Sequence, residues 1–217
     1  MDIKSRKVVT RSGRRYRGYF PSWKMKRHIE WESLLERDAI LLFEFSRGVA
    51  SYREQPEMIE YEFEGEIHRY YPDFEVILKS GEIIHFEVKP ASKLTSAELI
   101  KKLSAIKLHY ERMGRDFRIL SSDQIQKYPR HSNLMCLTKF QFNQGDISRV
   151  QSKVFKAIKA DPNSTLGSLA NKYGLVNTLI LISRGLIFTD IDICIDFNSG
   201  GNQVRLVTED DHDSLLF

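Results

Sequence analysis

The pattern of apolar and polar positions divides the chain into stretches of different period. In residues 32–45, ESLLERDAILLFEF, Leu34, Leu35, Ala39, Leu41, Leu42 and Phe45 supply enough apolar positions for a helix with a buried face, and Ser33 is a natural N-cap. From 51 to 89 the texture changes to short β-branched and aromatic runs broken near Gly65 and Gly81, which predicts a meander of strands. Residues 95–114, TSAELIKKLSAIKLHYERMG, return to helical period, with Leu99, Leu103, Ile106 and Tyr110 on one face, Thr95 or Ser96 at the start and Gly114 at the stop. Residues 116–121, DFRILS, read as another strand. Helix, antiparallel strands, helix and strand in that order predict an α/β fold, an α+β mixed sheet flanked by helices.

A second unit is expected to begin near Gln144. Helical patterns run over 147–160, 165–173 and 177–184, and GLIFTDIDICIDF then alternates as two short strands. Three helices and a β-ribbon make a small winged-helix pattern. A helix that read DNA would carry Arg, Lys, Asn or Gln on its groove face, whereas NTLILISR is mostly apolar. This unit is therefore expected to bind protein rather than specific DNA. The last residues, EDDHDSLLF, are acidic and then apolar, which makes either a frayed end or a docking peptide, with the frayed end as the default. The expected division is a basic arm over 1–31, the mixed-sheet domain over 32–144 and a partner-binding domain with an acidic tail over 145–217.

Composition narrows the class. With 41% hydrophobic and 29% charged residues the chain has the balance of a globular protein. No apolar run approaches the ~20 residues of a membrane span, and residues 1–11 lack the apolar core of a signal peptide, so a cytoplasmic protein with no membrane partner is expected. Cys136 and Cys194 lack the spacing of a zinc site. The net charge of +4 is unevenly spread: residues 1–31 hold ten Lys or Arg against Asp2 and Glu30, and the rest of the chain is net acidic. Aromatic side chains are interleaved with these bases. Such an arm suits a phosphate backbone, with Arg11, Arg14, Arg15, Arg17, Lys24, Lys26 and Arg27 as candidate DNA contacts.

The chemistry concentrates in YYPDFEVILKSGEIIHFEVKP, residues 70–90. A three-residue loop of Lys79, Ser80 and Gly81 sets a register in which Phe74, Val76 and Leu78 oppose Phe86, Ile84 and Glu82. The other face then opposes Glu75 to His85 and Asp73 to Glu87. Like charges directly opposite are unfavourable by a few tenths to about 1 kcal/mol, and a cation between them reverses the sign. Two hard oxygen ligands suit Mg²⁺, with Mn²⁺ as a substitute, better than zinc. Alternation places Lys89 on the face of Glu87 and turns Val88 inward. Lys89 is then placed to orient water or offset developing charge. A third acid is available in Glu36 or Glu32, although Ser33 and Glu36 also form a capping-box pair.

These residues, with FPSWKMKR, WESLLERDAILLFEF, VASYREQPE, YYPDFEV and FEVKPAS, resemble the TnsA-type transposon endonucleases over residues 20–92. The resemblance implies a PD-(D/E)xK, restriction-endonuclease-like domain followed by a winged-helix domain. It implies cleavage of the 5′ ends of a mobile element while a DDE transposase cuts and joins the 3′ ends. It assigns the catalytic positions to Glu36, Asp73, Glu87 and Lys89, with one or two metal ions held by Asp73, Glu87, the Val88 carbonyl and Glu36. A family member carries glutamine where this chain has Glu87, a departure expected to preserve metal binding. Gln55 matches a family motif and is expected to support the site or contact the DNA backbone. The C-terminal domain is expected to engage an AAA+ ATPase.

Overall fold

A computed structural model describes residues 16–143, 147–197 and 202–217. The described residues fall into two units, one of residues 16–126 with Asp213–Phe217, the other within Lys127–His212. The division lies at 126/127 rather than at the expected 144/145, because a helix over Arg130–Thr138 packs on the apolar helix near residue 180.

In the first unit the period of each stretch is matched by its element. The order is β1 (Gly18–Ser22), β2 (Arg27–Trp31), α1 (Leu34–Phe45), β3 (Val49–Glu54), β4 (Ile59–Phe63), β5 (Glu66–Tyr70), β6 (Phe74–Leu78), β7 (Ile83–Lys89), α2 (Ala97–Arg112), β8 (Asp116–Ser121) and α3 (Ser122–Ile125). Ser33 caps α1 by accepting from the Glu36 amide, and Ser96 caps α2 by accepting from the Leu99 amide. The central sheet runs β3-β6-β7-β8, antiparallel except for the parallel β7–β8 pair. It is a mixed sheet flanked by helices.

Both faces of this sheet are buried. Phe43 of α1 lies across three strands, with ring centroids 5.7 Å from Tyr52, 5.3 Å from Phe74 and 5.4 Å from Phe86. On the opposite face Tyr110 of α2 stacks on Phe117 at 5.4 Å and lies 4.5 Å from His85. Removing each such ring from water contributes roughly 1.5–3 kcal/mol, so the two helices clamp β7 between them. Glu75 and His85 are buried with this second face. His85 Nε2 lies 3.2 Å from Glu57 and 3.4 Å from Glu75, and Arg53 closes on Glu75 at 2.7 Å. Burial would raise the Glu75 carboxyl, but His85 and Arg53 hold it down at about 2.

The β6–β7 register is the one the loop dictates: Phe74 pairs with Phe86, Glu75 with His85, Val76 with Ile84 and Ile77 with Ile83. Gly81 takes φ +90°, open to glycine and strained for other residues. Two expectations are corrected. The described part of the arm is a hairpin, β1 on β2, because Phe20, Ser22 and Ile29 alternate inward between its charges. The tail is packed rather than frayed: the Gly48 amide donates to Ser214 O at 2.9 Å and the Leu216 amide to Ser46 Oγ at 3.0 Å. Its Phe217 ring reaches Phe43 at 5.6 Å and Phe86 at 5.1 Å. A Cβ on Gly48 would sit 2.8 Å from Asp213 O, so that approach requires glycine.

The second unit holds α4 (Arg130–Thr138), α5 (Ser148–Ala160), α6 (Leu166–Tyr173), α7 (Leu175–Ser183), β9 (Ile187–Phe188) and β10 (Arg205–Leu206). The apolar residues of α7 are its core: Leu179, Ile180, Leu181 and Ile182 are all buried. Their hydrophobicity is accounted for by packing and does not itself mark a partner surface. The second expected strand, within residues 190–197, does not form; β9 pairs instead with β10. Asn133 Nδ2 takes up the Ile191 and Ile193 carbonyls of that segment, both at 2.8 Å, in place of a ladder.

Candidate active site

The site is built at the ends of β6 and β7. Asp73 follows Pro72 at the entry to β6, where its amide donates to Phe86 O at 3.0 Å and its carbonyl accepts from the Gln55 amide at 2.9 Å. The ladder stops at Phe74–Phe86, one residue short of an Asp73–Glu87 pair, and the Asp73 side chain turns to accept from the Val88 amide at 2.7 Å. Glu87 and Lys89 share a face of β7, and Lys89 Nζ donates to Glu87 Oε1. Glu87 Oε2 accepts a second bond from the Tyr70 hydroxyl at the end of β5.

Glu36 comes from the first turn of α1. Its carboxylate accepts from the Glu32 amide at 2.7 Å and from Ser33 Oγ at 3.0 Å, one residue off the Ser33 amide that a capping box would use. It also lies within electrostatic reach of Lys89 and Asp73. Glu32, the alternative acid, contacts Arg17 at 3.3 Å and accepts from Gln55 Nε2 at 3.3 Å. Gln55 is buried at φ +41°, a left-handed turn that delivers its amide to Asp73 and its side chain to Glu32.

Three carboxylates thus surround one ammonium. Burial, followed by the neighbouring Glu87 charge, pushes Asp73 well above the ordinary carboxylate range, against the pull of Lys89. Burial also raises Glu36, opposed by its bonds from Glu32 and Ser33. For Lys89, burial works against the charged form, yet Glu87, Asp73 and Glu36 together hold it above its ordinary value. Tyr70 is pushed well up by burial and by Glu87, so it stays a hydrogen-bond donor. The net negative charge and the all-oxygen donor set fit a hard divalent cation at Asp73 and Glu87. Among the described residues, no group of three or more His, Cys, Asp or Glu side chains is arranged to hold one ion together.

The candidate DNA contacts divide differently. Arg11, Arg14 and Arg15 lie outside the described residues. Lys24 points inward: its ammonium donates to the Phe43, Ser46 and Val49 carbonyls at 2.8, 2.5 and 3.0 Å. Burial lowers Lys24 to about 8 despite the nearby Glu44. Arg27 is forked onto buried Glu54 at 3.0 and 2.8 Å, and Arg17 is committed to Glu32. Lys26 is exposed, 3.6 Å from the Trp23 ring centroid. Lys24 and Arg27 therefore tie the β1–β2 hairpin to α1 and β3, with the Lys24 ammonium turned inward and the Arg27 guanidinium partly exposed. Tyr70 was missed from sequence; its place directly before the Tyr71-Pro72-Asp73 turn was the available signal.

Residues 46–122, about a third of the chain, match the family model for the TnsA-like endonuclease N terminal. This segment is similar in sequence to TnsA-like endonuclease N-terminal domains. Asp73, Glu87 and Lys89 lie inside the TnsA-like match, as do Tyr70 and Gln55, while Glu36 precedes it. No curated protein matches the chain. Among the described residues, no helix is long and apolar enough to cross a membrane.

Proposed function

We propose that this protein is the metal-dependent DNA endonuclease of a cut-and-paste transposition system, nicking the 5′ ends of the element. The observation that carries the reading is the convergence of Asp73, Glu87 and Lys89, with Glu36 beside them, inside or next to a segment of TnsA-like sequence. Asp73 and Glu87, with the Val88 carbonyl, would hold Mg²⁺ or Mn²⁺, and Glu36 would join them on releasing its bonds at the start of α1. The ion would polarise the scissile phosphate and lower the pKa of an attacking water. Lys89 then leaves Glu87 to orient that water or to offset charge developing on the phosphate. Tyr70 keeps one oxygen of Glu87 in place, and the Val88 amide keeps Asp73 aligned. Gln55 supports the site through Asp73 and Glu32.

The system would also comprise a DDE transposase acting on the 3′ ends and an AAA+ ATPase engaged by the second unit. Transposon-end DNA is the substrate, in the bacterial cytoplasm. The test is a nicking assay with purified chain, transposase partner, end DNA and Mg²⁺. Nicks at the 5′ ends are expected from the parent and not from Lys89→Ala, with DNA binding nearly unchanged. Parent-level nicking by Lys89→Ala would overturn the reading.

A further inference from the structure

We propose that the exposed face of α5 in the second unit is a track for the phosphate backbone of duplex DNA. The helix, SRVQSKVFKAIKA, carries Arg149, Lys153, Lys156 and Lys159 and no acidic residue. At 3.6 residues per turn, Arg149, Lys153 and Lys156 fall within about 60° of one another, and Lys159 flanks them by about a further 60°. Val154 and Ile158 on the opposite side are buried, so packing leaves the four bases outward, and all four are exposed. From Arg149 to Lys159 the row spans roughly 15 Å of helix.

Apart from exposed Lys139, the other Lys and Arg residues of this unit are engaged locally. Arg130 and Lys127 are held on Asp192, Arg205 on Asp211, and Arg184 on the Gln141 and Asn143 carbonyls. Lys172 lies over the Tyr173 ring. Among the described residues, no carboxylate lies within ion-pair distance of Arg149, Lys153, Lys156 or Lys159. A solvated helix face in a soluble protein usually mixes both signs, with acids placed to pair at i,i+4. Four bases in one row, with no described carboxylate against them, instead complement a polyanion whose charges repeat along a line. The inference rests on DNA being the substrate, and it adds a contact surface in the second unit that is independent of the metal site. Such contacts release counterions and carry no sequence preference, so this face would hold the duplex without choosing it.

The test is fluorescence anisotropy of a labelled generic duplex with the full chain in EDTA, across a salt series. The variant replaces Arg149, Lys153, Lys156 and Lys159 by Gln, and a companion replaces the three lysines by Arg. With about 0.9 of slope per phosphate contact, the Gln variant is expected to flatten the log–log salt dependence by about 3 to 4 and to weaken low-salt binding at least about tenfold. The Arg companion should bind like the parent. Should the quadruple variant fail to fold, Lys153→Gln with Lys156→Gln should flatten the slope by about 2. Parent-like slope and affinity in a folded Gln variant would overturn the proposal and leave the face to an acidic protein partner or to solvent. Because the readout needs no cleavage, a flattened slope stands even if the nicking assay removes the nuclease reading.

Discussion

Asp73 is held by Val88: the aspartate Oδ2 accepts from that amide at 2.7 Å, across the point where the β6–β7 ladder ends. One carboxylate oxygen thus replaces a ladder acceptor. The side chain that terminates the sheet is also the one that faces Glu87 and Lys89, so the site's alignment and the sheet's end depend on the same contact.

The ammonium of Lys89 is the positive charge among Glu36, Asp73 and Glu87. Lys89→Met should therefore lower Tm at pH 7. Without it Asp73 is pushed further upward, so the folded state binds more protons than the unfolded chain above the ordinary aspartate value near 3.9. The deficit should shrink as pH falls from 7 towards 5. Mg²⁺ should recover more Tm in this variant than in the parent, and Asp73→Ala should abolish that recovery. Scanning fluorimetry at both pH values with and without Mg²⁺ checks all three.

Lys24 closes the C-terminal end of α1 by donating to three carbonyls. Lys24→Met removes three donors from partly buried acceptors, at a cost of about 2–4 kcal/mol. Urea unfolding should show the loss, while DNA affinity of the folded fraction should be unaffected, since this ammonium does not face solvent.

Phe217 packs edge-on against Phe43 and Phe86. Phe217→Ala should destabilise the first unit by about 1–3 kcal/mol, below the usual cost of a fully buried phenylalanine because the ring is half-buried. Hydrogen exchange of the β7 amides checks it: faster exchange around Phe86 is expected, with the second unit unchanged.

Glu75 is held at about 2 by His85 and Arg53 against its burial. Its folded value is depressed, so its contribution is present above the unfolded glutamate value of about 4.3 and is lost as pH falls towards 2. Arg53→Met weakens that hold. The variant should lose less stability than the parent between pH 4.5 and 2.5, having started lower at pH 7; a series of thermal melts across that window measures both.

Much of the frame was legible in the chain because it depends on local period. Strand alternation and the Lys79-Ser80-Gly81 loop set the pairing of Phe74 with Phe86 and placed Lys89 beside Glu87. The caps Ser33 and Ser96 and the strand over Asp116–Ser121 were read from a few neighbouring residues. The basic arm misled, because charge is conspicuous in sequence while the alternation of Phe20, Ser22 and Ile29 beneath it is faint.

What the tertiary structure decided concerns residues far apart in the chain. Lys24 could serve DNA or a helix end, and the fold of β1 onto α1 chose the helix end. Glu36 could cap or ligate, and the path of α1 puts its carboxylate on the Glu32 amide and the Ser33 hydroxyl, within reach of Lys89. Tyr70 meets Glu87, and Phe217 meets Phe43, only when separate elements are packed. Period determines which face a side chain occupies, since successive residues alternate by covalent geometry. Which groups meet across faces depends on the whole chain's path, and no short stretch encodes that.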